Sequence, residues 1–381
     1  MRASPYCSIA ELFSLPCSDS SAFVLIQMPG SVAQYWHCPT YSAVQKLQDL
    51  TSEEGFVFAP FCATAQTPIY FLPPLDVREF PLSTSISFPS HSTVSSKESV
   101  FGKRDYKPND TYQSAFTSFH SAVRSGQFSK LVLSREEVLS LQDTITPIDL
   151  FADLLNLQQP GAKYLIFIPE IGFWLGATPE VLLCSSPQET YTMALAGTKA
   201  LGREFEIGQD CEDFFGAKNN SEHEVVVDHI RTVLCSEGIK LGKTEKRALK
   251  SYNVQHLCTR FDFDNSDHLV IARLVDKLHP TPAVCGIPTE KAKDFIRKYE
   301  GYERRYYAGY LGYWQYRQQT ELYVNLRSAS IDKEGSLQAH LYAGGGIMPD
   351  SDYLSEWEET KLKMQPMHAL LSPYITHYCL Q

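Results

Sequence analysis

Short apolar segments rich in branched and aromatic side chains recur along the sequence and restrict the fold more than any other feature. Short runs of this composition between turn-forming residues predict β-strands. The clearest are AFVLIQM, EGFVFAPF, KLVLSREEVL, YLIFIP, GFWLGA and VLLCSS, which begin at residues 22, 54, 130, 164, 172 and 181.

Helical periodicity appears between and after these segments. Apolar residues recur at helical spacing from Tyr112 to Val123, where Gly126 ends the run. The stretch EHEVVVDHIRTVLCSEG predicts a second helix closed by Gly238, and residues 355–367 predict a charged helix behind a serine N-cap. Strands and helices alternate without a βαβ rhythm or a repeat, so the predicted class is mixed α and β.

The length of 381 residues allows one large domain or two to three small ones. Eight serines fall in the 20 residues 81–100, a polar stretch typical of a surface connection. We therefore predict a boundary near residue 100.

Composition excludes several classes of partner. With 34 Lys+Arg against 44 Asp+Glu, the net charge of −10 makes a nucleic-acid partner improbable. The ten cysteines are scattered without metal-ligand spacing, which is typical of reduced thiols in a cytoplasmic protein. No apolar run approaches the roughly 18 residues that a membrane span needs, so no membrane association is expected.

Familiar nucleotide and zinc motifs are absent. In GIKLGKT only three residues separate the glycines, whereas a phosphate loop has four. His223 and His229 are six residues apart, so they do not share the helix face that a zinc site would require.

Two ionisable residues lie in unusually apolar surroundings. Lys130 opens the strand KLVLSR, where it either guards a sheet edge or, when desolvated, has a pKa lowered toward neutrality. Glu180 follows Pro179 between two apolar segments, where it is either a solvated turn residue or a carboxyl that keeps its proton and serves as a general acid.

Two helices carry acidic faces. Lys218 and Glu222 are i,i+4 neighbours, and Glu356, Glu359 and Lys363 lie at i, i+3 and i+7. Each face is explained by ordinary solvated ion pairs. If the faces converged on a pocket, the carboxylates would supply the oxygen ligands that Mg²⁺ prefers.

Small residues could bring backbone N–H groups close to an anion. Candidates are the predicted turn at Gly197 and Thr198 and the glycines 344–346. Tight turns between strands explain them equally well. Arg327 alternates as on a strand, where it could grip a carboxylate bidentately or pair with a neighbour.

Nine ordered blocks resemble the chorismate-utilising enzymes, the family of isochorismate, salicylate, anthranilate and aminodeoxychorismate synthases. The blocks are SKLVLSR, FWLGATPE, ALAGTKA, KNNSEHEVVVD, LHPTPAVCG, YYAGYLG, LYVNLRSAS, LYAGGGI and SEWEETKLK, which together span about residues 110–370. The resemblance implies a single large α/β (α+β) domain with two stacked antiparallel β-sheets and outer helices. Residues 1–105 would be a variable N-terminal part of that fold and residues 106–375 its chorismate-binding core.

Within the family, the resemblance is greatest to the isochorismate synthases, which are isomerases. Members that form aminodeoxychorismate carry a nucleophilic Lys where this chain has Ala196. Members that add ammonia usually carry Gln where this chain has Lys130, so water is the expected nucleophile and no glutaminase subunit is expected. Ala283 in HPTPAVCG is also typical of isochorismate synthases. A monomer that feeds menaquinone or siderophore biosynthesis is expected.

The resemblance also implies roles for the candidate residues. Lys130 would be the base and Glu180 the acid, while Mg²⁺ would be held by Glu222 and Glu359 directly and by Glu356 through water. The remaining positions would bind chorismate, with Lys363 neutralising part of the acidic cluster: Gly197, Thr198, Tyr307, Arg327, Gly344, Gly346 and Lys363.

Two departures and two rival functions accompany this interpretation. Asn219 stands where many relatives carry an acidic residue, and Lys199 replaces a frequent Arg. His256 and His279 are as readily structural as catalytic. A salicylate synthase, which goes on to eliminate pyruvate, and a non-catalytic chorismate-binding protein are the alternatives.

Overall fold

A computed structural model describes residues 21–50, 53–80, 110–202, 211–264 and 267–377. Within them, 19 strands form two sheets in which every strand pairing is antiparallel. The predicted class of two antiparallel sheets with helices outside them is confirmed.

The first sheet has ten strands in the order β14-β7-β18-β17-β9-β8-β1-β2-β6, with β19 pairing with β7 at one side. Its strands are β1 (Ala22–Gln27), β2 (Ala33–Cys38), β6 (Asp76–Phe80), β7 (Lys130–Leu141), β8 (Ala162–Ile168), β9 (Gly172–Thr178), β14 (Gly286–Ile287), β17 (Ser328–Glu334), β18 (Ser336–Ile347) and β19 (Ile375–His377).

The second sheet has nine strands in the order β12-β13-β11-β10-β16-β15-β4-β5-β3. They are β3 (Ser42–Val44), β4 (Gly55–Ala59), β5 (Ile69–Leu72), β10 (Val181–Ser185), β11 (Thr190–Ala200), β12 (Leu241–Ser251), β13 (Val254–Phe263), β15 (Tyr310–Tyr316) and β16 (Gln319–Val324).

Six α-helices complete the described part of the chain: α1 (Asp110–Arg124), α2 (Pro147–Asn156), α3 (Cys211–Ser236), α4 (His268–Leu278), α5 (Thr289–Tyr299) and α6 (Tyr353–Leu371). The three predicted helices are confirmed, but the predicted serine N-cap is wrong. Asp352 caps α6, and its carboxylate accepts a hydrogen bond from the Ser355 backbone N–H.

The period of two along the strands buries both faces of the ten-stranded sheet. Val24 and Ile26 belong to the large core shared with the second sheet, where the rings of Trp174 and Phe58 lie 5.9 Å apart. Phe23 and Leu25 point the other way and pack in a core that includes residues of α2 and α6. Because a core covers each face of this sheet, its strands are continuous apolar runs in the sequence.

The predicted boundary near residue 100 falls in residues 81–109, outside the described residues. Strands from both sides of that segment share both sheets, since β1 pairs with β8 and β4 pairs with β15. The cysteines at positions 38, 62, 184, 235, 258 and 285 are free thiols. In the part of the chain that the structure describes, the helices are too short or too polar to cross a membrane.

Candidate active site

A cavity with about 610 Å³ of empty space, part of it open to solvent, lies where α3, α6 and strands of both sheets meet. Nine of the twelve residues predicted for a site line it, which are Glu180, Gly197, Thr198, Glu222, Tyr307, Arg327, Gly344, Gly346 and Lys363. The other three, Lys130, Glu356 and Glu359, lie directly behind this lining, as described below. The structure thus brings together predicted residues that are up to 233 positions apart in the chain.

Glu180 lies in the link between β9 and β10 and is only 2% exposed, so the alternative of a solvated turn residue is wrong. Its backbone carbonyl accepts a hydrogen bond from the Val324 N–H, which fixes the link against the end of β16. Burial raises the pKa of the Glu180 carboxyl from 4.5 to about 8, although Lys130, Lys363 and Arg327 act in the opposite direction. The carboxyl therefore keeps its proton at neutral pH.

Lys130 is fully buried, and the alternative that it guards an exposed sheet edge is wrong. It begins β7, where its register partner is Ile287 of β14. Its Nζ lies 2.9 Å from Glu222 Oε1, at ion-pair distance. Burial alone would raise the pKa of Glu222, but Lys130, with Lys363 and Lys218, lowers it below its ordinary value. Glu222 is therefore a carboxylate held between the cavity and a buried lysine.

Glu356 and Glu359 lie on α6 and are also paired with lysines. Glu356 Oε1 contacts Lys218 Nζ on α3 and accepts a hydrogen bond of 2.7 Å from Ser351 Oγ. Glu359 Oε1 accepts a hydrogen bond of 2.6 Å from Lys363 Nζ, which also donates to the Gly344 carbonyl at 2.9 Å. Glu359 and Lys363 thus pair at i,i+4 on the face of α6 that the sequence indicated. Lys218, however, reaches across to Glu356.

The two acidic faces converge on the glycines of β18. A Cβ atom at Gly345 would lie 3.0 Å from Glu356 Oε2 and 3.5 Å from Glu359 Oε1, and one at Gly346 would lie 2.2 Å from Glu222 Oε1. The absence of side chains at these two positions is what lets three carboxylates approach the strand.

The three carboxylates beside Gly345 and Gly346 form an acidic cluster whose fit to a divalent cation depends on their partners. Among the described residues, no three His, Cys, Asp or Glu side chains form a ready-made metal group, and each carboxylate is paired with a lysine instead. Glu356 Oε2 is nevertheless buried without a hydrogen-bond partner in the described ranges. Burial and the nearby Glu359 raise the pKa of Glu356 to about 7, against the effect of Lys218. An orphaned oxygen among three carboxylates fits a hard divalent cation.

The small-residue segments belong to strands, so their prediction as turns is wrong. Gly197 forms a bulge within β11, between register pairs at Ala196 and Thr198, and it has a positive φ of 74°. A Cβ atom there would lie 2.7 Å from the Asn219 carbonyl oxygen, so glycine lets α3 approach β11 closely. Gly344 and Gly346 lie inside β18.

Arg327 lines the cavity from the link between β16 and β17, with a positive φ of 49°, so its prediction as a strand residue is wrong. Burial lowers the pKa of Arg327 to about 10, which still leaves the guanidinium charged at neutral pH. It therefore offers a buried cation to an anionic ligand.

His256 is a site residue that sequence reasoning left out. Its Nε2 lies 2.9 Å from Arg327 Nη2, and its Nδ1 lies 3.2 Å from Thr198 Oγ1. Since arginine can only donate, Nε2 accepts, and Nδ1 carries the proton toward Thr198. Burial, with Arg327 and Lys363, lowers the pKa of His256 well below its usual value, so the ring is neutral. His256 reaches the site because the register of β13 against β11 pairs it with Thr198, and the sequence does not reveal that register.

His279 has a structural place by contrast. Its Nε2 lies 2.9 Å from the Pro60 carbonyl oxygen, and it does not line the cavity. Tyr307 stacks on Tyr342 with ring centroids 5.2 Å apart, and both rings line the cavity. Ala196 and Ala283 also face it, so neither position brings a nucleophile or a bulky group into the space.

Comparisons with known proteins place this geometry in a family. A family model described as chorismate binding enzyme matches residues 81–372. The salicylate biosynthesis isochorismate synthase of Pseudomonas aeruginosa is 37% identical over 257 residues, which are 66% of this chain and 52% of that protein. Isochorismate synthase MenF of Bacillus subtilis is 33% identical over 278 residues, 72% of this chain and 58% of that protein. The chain thus aligns with little more than half the length of these relatives.

Solved structures show the same fold. MenF, the menaquinone-specific isochorismate synthase from Escherichia coli, aligns with a TM-score of 0.70 and 21% identity, over 97% of this chain and 92% of that one. Anthranilate synthase component I from Streptococcus pneumoniae aligns with a TM-score of 0.61 and 16% identity, over 91% of this chain and 92% of that one. At these identities the likeness establishes the fold alone.

Proposed function

Because the chain belongs to the chorismate-binding enzyme family, we propose that it is an isochorismate synthase, which adds water at C2 of chorismate and releases the C4 hydroxyl. The observation that carries the proposal is Glu180, a buried carboxyl that lines the same cavity as Arg327 and Lys363 and whose pKa is raised by that burial. A cavity with an acid and two cations suits a dianionic substrate whose reaction needs a proton at a leaving oxygen.

The cations and the bulge would orient chorismate through its two carboxylates. Arg327, held by neutral His256, would bind the enolpyruvyl carboxylate together with Tyr307 and the backbone at Gly344 and Gly346. The Gly197 and Thr198 bulge would face the ring carboxylate. This orientation would place the C4 hydroxyl at the Glu180 carboxyl.

The proton transfers follow from that orientation. Glu180 gives its proton to the departing C4 hydroxyl, and Lys130 Nζ takes a proton from the water that attacks C2, while the ring double bonds shift between the two events. Nζ forms an ion pair with Glu222 in the structure, so it must leave that carboxylate and release its own proton to solvent before it can accept one from the attacking water. Ala196 supports addition of water without a covalent intermediate, since no lysine amine is present there.

A magnesium ion is part of the proposal, and Glu222, Glu356 and Glu359 would hold it. Such an ion would offset the charge of the ring carboxylate and fix the ring. The Glu359→Ala variant should bind Mg²⁺ more weakly, so its turnover should need a higher Mg²⁺ concentration to reach half of its maximum. The matched control is Glu358→Ala on the same helix, whose side chain is 61% exposed and pairs with Lys361. Identical metal titrations for the two variants would argue against ligation by Glu359.

Product analysis tests the proposed reaction. Incubation with chorismate and Mg²⁺ should yield isochorismate without stoichiometric pyruvate, as measured by chromatography and coupling to lactate dehydrogenase. Fluorescent salicylate with stoichiometric pyruvate would establish the salicylate synthase alternative instead. Binding of chorismate without turnover would establish a non-catalytic protein. We expect the product to enter menaquinone or siderophore biosynthesis.

A further inference from the structure

Lys218 differs from the other lysines of the acidic cluster in the way it reaches its partner. It lies on α3, one turn before Glu222, and its Nζ contacts Glu356 on α6. The Lys218 side chain is 29% exposed, whereas that of Glu356 is 1% exposed. Lys218 therefore enters the cluster from the solvent side and links the two helices that carry the carboxylates.

The other two lysines are fixed more firmly. The Lys130 side chain has no exposure at all, and the Lys363 ammonium is anchored twice, to Glu359 and to the Gly344 carbonyl. Withdrawing a lysine from a carboxylate costs least when its ammonium regains water, because hydration replaces the lost ion pair. Of the three, Lys218 has that route.

Glu356 has a second carboxylate oxygen that the contact with Lys218 does not use. Its Oε1 is engaged by Lys218 and Ser351, but its Oε2 is buried without a hydrogen-bond partner in the described ranges and faces the Glu359 carboxylate next to Gly345. A cation entering there would meet Oε2 first and would repel the Lys218 ammonium across the same carboxylate.

We propose that Lys218 is a built-in competitor of the divalent cation: it neutralises Glu356 when the ion is absent and swings to solvent when the ion binds. This inference rests on the proposed use of the acidic cluster as the metal site. Lys218 thus lowers the affinity for the ion, while it keeps α3 and α6 together in the metal-free protein.

The test compares Mg²⁺ affinity, without chorismate, of the wild type, Lys218→Met and Lys218→Arg. Lys218→Met should bind Mg²⁺ about tenfold more tightly by calorimetry, the effect of removing one charge-assisted contact. Lys218→Arg should stay near the wild type because it keeps the charge. Lys361→Met on α6, whose lysine pairs with Glu358 outside the cluster, is the matched control and should not change affinity.

Thermal unfolding across the same Mg²⁺ titration provides a second measure. Lys218→Met should melt lower than the wild type without Mg²⁺ and regain the difference on saturation. Unchanged or weaker Mg²⁺ binding by Lys218→Met would overturn the role of Lys218 even if the wild type converts chorismate. Absence of chorismate turnover with tighter Mg²⁺ binding by Lys218→Met would instead overturn the proposed function and leave the competition established.

Discussion

Lys130 on β7 and Glu222 on α3 form an enclosed ion pair in which Nζ lies 2.9 Å from Oε1. The proposed base and a proposed metal ligand are therefore each other's partners. A change to either one removes a candidate catalytic group and also leaves a charge behind in a buried place.

Lys130→Ala should abolish turnover while chorismate still binds, because the base is used mainly in the transition state. It should also lower the free energy of unfolding by about 3–5 kcal/mol, since Glu222 loses its buried cation. Urea unfolding and chorismate binding measure the two effects separately. The double variant with Glu222→Gln should recover stability but not activity. Normal turnover in Lys130→Ala would remove this residue from its role.

Gly346→Ala should disrupt the same pair without altering any charge. The added Cβ would lie 2.2 Å from Glu222 Oε1 and 2.8 Å from Lys130 Cε, so both side chains must move. We expect kcat to fall at least about tenfold, as misplacement of catalytic groups does. Gly202→Ala is the matched control, because a Cβ at that position meets no atom of the described residues within 4 Å. Equal kcat values for the two variants would contradict the close approach.

Activity should decline in alkaline solution because Glu180 must carry a proton. With a pKa of about 8, the carboxyl is protonated below that pH and loses about tenfold in protonated fraction for each further unit above it. Stability changes in the same direction, since the folded protein keeps a proton that the unfolded chain releases near pH 4.5. The contribution of Glu180 to folding stability is thus greatest below pH 4.5 and is lost as the pH rises to about 8.

The pH profile of kcat checks this expectation. A plateau that continues well above pH 9 would show that Glu180 is not the acid.

The sequence was sufficient for features that depend on local order. Strand runs such as YLIFIP and the helix closed by Gly238 follow from periodicity and turn residues. The position of Glu180 after Pro179, between two apolar segments, left a solvated turn residue and a protonated carboxyl as alternatives, and the structure shows the side chain buried. The nine ordered sequence blocks, through their resemblance to the chorismate-utilising enzymes, then assigned residues far apart in the chain to one predicted site.

Features set by long-range pairing could not be predicted. The spacing on α3 predicted that Lys218 pairs with Glu222, but in the folded chain the Lys218 side chain reaches Glu356 on α6 instead. The contact of His256 with Thr198 and Arg327 depends on the register of β13 against β11. The segment at Gly197 was predicted as a turn because glycine, with its positive φ, is common both in tight turns and in β-bulges.

Arg304→Met should destabilise the wall of the cavity. Arg304 forms a buried bidentate pair with Glu300 and donates to the carbonyls of Val132 and Val284, both of which line the cavity. Loss of the guanidinium leaves Glu300 without its buried cation, so the free energy of unfolding should fall by about 3–5 kcal/mol. Urea unfolding measures the change, and Arg317→Met, at an exposed arginine, is the control. Similar unfolding midpoints would contradict the importance of the pair.

The central claim is that protonated Glu180 donates to the departing hydroxyl of chorismate. The most direct measurement is kcat for isochorismate formation by Glu180→Gln, a variant of nearly the same shape that lacks the acidic proton of the carboxyl. We predict that kcat falls by about 10²–10⁴-fold while chorismate affinity stays within about threefold of the wild type. A kcat equal to that of the wild type would contradict the account.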